Sequence, residues 1–351
     1  MKKILNILRI ILIPLTALGQ EEYLSRLSIS GGVSELGISP SEEIWVATKA
    51  GNVYYTKQIG ELWHIGPFGS LDPYNFSSGK TFERLNFFSE DTMMISGFIQ
   101  EGGKQDFVFW SGNHGKTWEK VKFGKSSWID AAYINNNGKA WMSGNSQLIY
   151  HTEDNGRNWK AFDKAGNENA LRFSTIHFAK DEQTGLFGSF WNIIYKTTDN
   201  CQSWKKLPTP LTQGKYERLS KEERPDIRKI RIFGNYYIIN QQGRVFITKS
   251  NTIDWTYLPE IIDFEVSEDE DLYTINQDLS ISLYNSAFSK TWQSEKSLKN
   301  SFRAIGVRNN NLFVLTFESI SVLKVYRINA GVEKIVLFVL FCKYVCSICN
   351  H

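Results

Sequence analysis

The 351-residue chain is poor in the residues that would mark several common designs: it has four cysteines, eight prolines, four methionines and five histidines. Four cysteines cannot staple a chain of this length, which excludes a disulfide-built scaffold. Three of them, Cys342, Cys346 and Cys349, form C-x3-C-x2-C just before Asn350 and His351. Zinc sites usually draw their ligands from two separated clusters. This run, following the apolar stretch Ile335 to Cys342, is therefore read as a C-terminal tail over 341–351, and neither metal nor cofactor is expected. Charge of one sign is also scarce. The formal net charge is +3 and the Lys and Arg residues are dispersed, so no nucleic-acid partner is expected. The one basic cluster, Arg228, Lys229 and Arg231, alternates with Ile227, Ile230 and Ile232, the pattern of a strand with one wet face.

Long hydrophobic runs are few. The stretch Ile10 to Ala17 is too short to cross about 30 Å of hydrocarbon. Lys2, Lys3 and Arg9 precede its core, and Ala17-Leu18-Gly19 offers a small-residue cleavage site. Residues 1–19 read as a secretory signal, and no cysteine follows the site as a lipoprotein would require. The mature chain is expected to begin near Gln20, to be secreted or periplasmic, and not to span a membrane.

What the chain does have is aromatics: Trp 11, Tyr 15 and Phe 23. Rings favour the pleated surface of a sheet, and windows with helical apolar spacing are scarce, so an all-β chain is expected. Its strongest signal is internal. Ser111 to Trp118 reads SGNHGKTW, Thr152 to Trp159 reads TEDNGRNW and Thr197 to Trp204 reads TTDNCQSW. All fit Ser/Thr-x-Asp/Asn-x-Gly-x-x-Trp through Ser111, Asn113, Gly115 and Trp118, then Thr152, Asp154, Gly156 and Trp159. The third copy has Thr197, Asp199 and Trp204, with Cys201 in the glycine place. Weaker copies keep Thr56, Gly60 and Trp63, then Thr248 and Trp255, then Trp292 in the segment starting at Asn285. The six Trp positions lie 37 to 55 residues apart, the range of propeller blades. In such a turn Asp or Asn holds backbone amides two residues on, Gly takes a conformation that a Cβ penalises, and Trp anchors the returning strand.

These repeats resemble the Asp box, or bacterial neuraminidase repeat, of sialidases, sortilin-type receptors and some glycoside hydrolases. The phrase NIIYKTTDNCQSW resembles repeats of photosystem II assembly and stability factor-like propellers. The resemblance covers about residues 50 to 295 and implies a sialidase-superfamily β-propeller fold. For function it implies scaffolding in protein-complex assembly.

Each box should join the third and fourth strands of a blade. Working back from the boxes and forward from Trp292 gives seven four-stranded blades in a single domain over 20–340, six or eight being the alternatives. Val332 to Leu340 is expected to supply the last strand, and residues near Leu24 to Ser30 to help close the ring.

A sialidase would need a Phe/Tyr-Arg-Ile-Pro segment and an arginine triad; the segment is missing, although Arg172, Arg231 and Arg303 fall on expected first strands. A glycosidase of another kind would need two carboxylates, for which Asp130, Asp263 and Glu265 are candidates. No catalytic residue is assigned. His114 and His151, in or beside box turns, are expected at the surface. Two long connections, Gly66 to Lys80 and Pro208 to Pro225, should emerge on one face and frame a groove for a protein or peptide. Asp72, Tyr74, Tyr216, Arg218 and Arg224 are its expected contacts, since Tyr and Arg are enriched at binding hot spots. A non-enzymatic protein-binding scaffold is therefore expected, with a carbohydrate-active or glycan-binding Asp-box protein as the alternative.

Overall fold

A computed structural model describes residues 21–28, 33–49, 52–56, 64–65, 80–99, 105–121, 129–135, 137–144, 148–162, 172–210, 225–294, 298, 302–319 and 322–329. Their strands pair into seven antiparallel four-stranded sheets. The first strands of blades one to seven are Val33–Ile38, Lys80–Phe87, Ile129–Ile134, Phe173–Phe178, Ile227–Phe233, Ile261–Val266 and Phe302–Arg308. Six blades are contiguous in sequence. The seventh is composite: Phe302–Arg308, Asn311–Ser319 and Val322–Asn329 are completed by the N-terminal strand Glu21–Ser28. That strand pairs antiparallel to Val322–Asn329, with Glu21 opposite Ile328 and Ser28 opposite Val322. The place expected for Val332 to Leu340, which lies outside the described residues, is thus taken by the other end of the chain. The expected closure by the N-terminal segment holds, beginning at Glu21.

The core explains why the blades form a ring. Among the described residues the buried side chains fall into seven clusters, and each joins two neighbouring blades. Trp45 of blade one packs with Phe87 and Phe109 of blade two. Val46 of blade one packs with Phe313 and Leu315 of blade seven. A sheet apolar on both faces must bury both, so one cluster fills every seam. Trp141 shows how such a seam is filled: it is fully buried, stacked on Phe178 of the next blade at 4.0 Å and on His151 at 4.8 Å.

The three complete repeats fold alike. Ser111 donates to Asn113 Oδ1 (3.0 Å) and accepts from the Gly115 amide (2.9 Å). Thr152 does the same with Asp154 and Gly156, at 2.8 and 3.2 Å. Thr197 repeats it with Asp199 and Cys201, at 2.8 and 2.9 Å. Asn113, Asp154 and Asp199 each accept, at 2.8 Å, the amide four residues ahead, from Thr117, Asn158 and Ser203. The acceptor's reach is therefore four residues rather than the two expected, because two consecutive left-handed residues lengthen the turn. Gly115 and Gly156 have φ of 73° and 80°, and Cys201 holds 71° with a Cβ. The weaker copies diverge. Thr56 and Thr248 are buried, and Trp255 donates to the Pro208 carbonyl at 2.9 Å. In blade six Asn285 takes over the turn, accepting from Ala287 and Ser289, while Trp292 lies on the returning strand Lys290–Gln293. Gly60 and Trp63 lie outside the described residues.

One regularity was not read from the sequence. Every first strand carries a β-bulge, at Ser34, Glu83, Asp130, Ser174, Arg228, Ile262 and Arg303; it falls one residue after the first paired position in six blades and three after it in blade two, whose strand starts earlier. A bulge adds one unpaired residue and increases local twist, so it re-aims the side chains that follow. Two levels of aligned residues result. The first is Glu35, Arg84, Ala131, Thr175, Lys229, Asp263 and Ala304; the second is Gly37, Asn86, Tyr133, His177, Arg231, Glu265 and Gly306.

Candidate functional site

The bulged first strands surround a central cavity of about 800 Å³. Its lining carries Glu35, Glu182, Asp263, Glu265, Glu268 and Glu270 against Arg84, Lys180, Arg228, Lys229, Arg231 and Arg308, an even balance of charge. Blades three to six form one continuous wall at the second level. Tyr133 lies 4.8 Å from the His177 ring, and His177 Nδ1 accepts the Ile232 amide at 3.2 Å. Arg231 makes a two-pronged bond to Glu265, its Nη2 reaching Oε2 at 2.9 Å. One level away Lys229 donates to Asp263 at 2.7 Å and to the Phe264 carbonyl at 3.0 Å. The opposite wall is slighter, since blades seven and one contribute Ala304, Gly306 and Gly37, beside the Arg84–Glu35 pair at 2.9 Å.

The expected strand with one apolar and one polar face is seen: Ile227, Ile230 and Ile232 are buried, and much of the polar face is the channel wall. Only Arg228, the bulge residue, is exposed; Lys229 and Arg231 turn into the channel and are paired with the next blade. Burial works to raise the Glu265 carboxyl, but Arg231 and then Lys229 outweigh it and hold its pKa down to about 2. Such a group is ionised at neutral pH and has no proton to give. A glycosidase acid must keep its proton there, and Asp263, held by Lys229, has an ion-pair role of its own. The backbone of Asp130 and Arg303 is described but their side chains lie outside the described set. Arg172 precedes its strand and lies over the Phe190 ring at 5.1 Å, so with Arg231 bound to Glu265 these two arginines do not converge on a substrate carboxylate.

His114 and His151 are not surface residues. His151 is buried under Trp141, and burial lowers its pKa. His114 is partly buried and contacts the Glu43 carboxylate at 2.8 Å. His177 is partly buried in the channel wall; burial first and Arg231 second push its pKa down to about 3. The sign follows by linkage. The unfolded chain takes up a proton near pH 6.5 that the folded chain refuses, so stability present above about pH 6.5 is lost as pH falls towards 3. His151 acts in the same direction. The midpoint of thermal unfolding should therefore drop between pH 7.5 and pH 5, and His177→Gln should flatten that drop; an unchanged slope would remove His177 from the account.

Asp72, Tyr74, Tyr216, Arg218 and Arg224 lie outside the described residues. The strands that flank them do fix one thing. His64–Ile65 and Lys205–Leu207 are fourth strands, and Lys80–Phe87 and Ile227–Phe233 are the next first strands. Both connections therefore start and end on the same face of the ring, opposite the box turns. No helix among the described residues is long and apolar enough to cross a membrane. What the sequence reading missed is Tyr133, His177 and the pairing of Lys229 and Arg231 with Asp263 and Glu265. The available signal was the same i, i+2 spacing of opposite charges on two consecutive first strands.

A family model described as Sortilin, neurotensin receptor 3, matches residues 106–230, a span that holds all three complete repeats. No curated protein matches the sequence. Among solved structures, the chain is similar to one described as YCF48 bound to D1 peptide, with 14% identity and a TM-score of 0.59, covering 88% of this chain and 99% of that one. It is also similar to YCF48 from Cyanidioschyzon merolae, with 14% identity and a TM-score of 0.57, covering 88% and 98%. At this identity the likeness is one of fold, and the fold of this chain is a single all-β propeller.

Proposed function

We propose that this chain is an exported, non-enzymatic Asp-box propeller that binds a protein or peptide partner as an assembly-factor-like scaffold. The observation that carries the reading is the state of the channel charges. Arg231 and Lys229 are engaged by Glu265 and Asp263 across a blade seam, which makes a rigid, charge-balanced wall rather than an acid and a base ready for transfer. A rigid ring with long connections on one face is a common way to present a binding surface. The likeness to a structure described as YCF48 bound to D1 peptide gives the partner its class. The repeated Ser/Thr–Asp/Asn turns support the Asp-box assignment, and the segment 1–19 supports export.

Affinity capture from native envelope extracts, followed by mass spectrometry, tests this. The mature chain is compared with Tyr74→Ala/Tyr216→Ala and with a variant whose residues 211–224 are replaced by a Gly/Ser linker. A protein partner kept by the first bait and lost from the other two is the expected result. The same partner on all three baits would remove the groove, and retention of glycans alone would favour the carbohydrate-binding alternative.

A further inference from the structure

On the other face of the ring, where the box turns lie, three side chains meet at the seam of blades one and two. Glu43 ends the turn between the first two strands of blade one, Glu90 lies in the same turn of blade two, and His114 sits inside the SGNHGKTW turn. One ligand atom from each lies within 4.8 Å of the others. We propose that Glu43, Glu90 and His114 form a zinc-binding site that clamps blade one to blade two.

The argument rests on which atoms are donors. His114 Nδ1 lies 2.8 Å from the Glu90 carbonyl, a pure acceptor, so Nδ1 carries the hydrogen. That leaves Nε2 as the free lone pair, and Nε2 points at Glu43 Oε2 from 2.8 Å. An imine nitrogen and a carboxylate oxygen are both acceptors, so this contact needs a cation between them. A proton is the minimal answer and a divalent metal is the other. A second N–H anchored on a backbone carbonyl is also how metal-ligating histidines are usually oriented.

The local charge favours the metal. Among the described residues neither Glu43 nor Glu90 is ion-paired to Lys or Arg, so a single imidazole faces two carboxylates. Glu43 is 8% exposed and accepts from Trp45 Nε1 at 3.3 Å. Glu90 is fixed by the Ser41 amide at 2.9 Å and by Ser41 Oγ at 2.6 Å. One imidazole and two carboxylates suit Zn²⁺, with Zn–N and Zn–O distances of about 2.0–2.2 Å. Seating the ion requires Nε2 and Oε2 to part by a few tenths of an ångström, and water completes the fourth position. The other two complete repeats have Asn155 and Asn200 where this one has His114, all three at positive φ. The metal-ligating residue is thus a departure from the repeat at one seam.

The same comparison supplies the test. His114→Asn installs the residue that the sister turns already carry, so the turn should still form. Full-length protein and this variant are stripped with chelator and titrated with ZnCl₂ at pH 7.5 by calorimetry, with thermal unfolding in parallel. Because the C-terminal cysteines are present in both, the readout is the difference. Wild type should bind one more equivalent at micromolar or tighter affinity and gain a zinc-dependent rise in unfolding midpoint that His114→Asn lacks. Glu90→Gln should weaken the same equivalent at least tenfold. Equal zinc stoichiometry and equal thermal response in wild type and His114→Asn would overturn the proposal and leave the contact as a proton-bridged pair.

Discussion

Arg231→Met should destabilise the propeller by about 3–5 kcal/mol, because it strands the Glu265 carboxylate inside the channel wall without its two-pronged partner. Lys229, 3.9 Å from Glu265, offers partial compensation, which favours the lower end of that range. Replacing both partners is a different matter. A buried pair exchanged for neutral groups of similar size is often close to neutral, so Arg231→Met/Glu265→Gln should recover most of the loss. Arg231 also helps to hold the His177 pKa down, so the single variant should raise it as well. Urea unfolding of the wild type, both single variants and the double variant closes the cycle. A loss below about 1 kcal/mol for Arg231→Met would mean that water, not protein, already satisfies Glu265.

The second large effect concerns ring closure. Deleting residues up to Ser28 removes the strand that completes the seventh blade and pairs with it at seven positions. At about 0.5–1.5 kcal/mol for each backbone hydrogen bond, the loss is roughly 4–10 kcal/mol. It also exposes Val322–Asn329 as a free edge, and free edges pair with other chains. The truncated protein should therefore unfold at markedly lower temperature and aggregate, and a synthetic peptide of residues 20–30 added in trans should restore part of the midpoint. A truncation that left midpoint and solubility unchanged would show that the ring does not depend on this closure. The expected signal-cleavage site lies directly before the closing strand, so under the proposed export the cleaved end would be the one that closes the ring.

Much of this fold was legible because its determinants are local. Thr152, Asp154, Gly156 and Trp159 make their turn with each other, so their spacing alone announces it. Strand positions are also legible locally, since runs such as Ile227 to Phe233 and Ile261 to Val266 alternate apolar and polar residues and each forms a first strand. The closing strand was legible only in outline, since two ends of the chain competed for one place and the register is set by partners some 300 residues apart. The bulge was not legible, because it is a property of pairing between two strands and leaves no fixed residue type: Ser34, Asp130 and Ile262 all occupy it. Lys229 and Arg231 alternate with Ile230 and Ile232 as their spacing implies, but nothing in the strand itself announces that the face they share is the channel wall, paired with Asp263 and Glu265 of the next blade. His114 shows the same limit. Its partner Glu43 is 71 residues earlier on another blade, and nothing in SGNHGKTW announces the contact.

The central claim, that this ring presents a surface for a polypeptide and not a catalytic centre for glycans, is tested most directly by offering both ligands at once. A peptide-display selection and a glycan array are run on the same purified mature protein, with glycoside hydrolysis followed in parallel. The account expects peptides of a shared pattern, with micromolar affinity that weakens at least tenfold in Arg228→Glu at the exposed channel wall. Glycan binding or glycoside turnover without any selected peptide would contradict it.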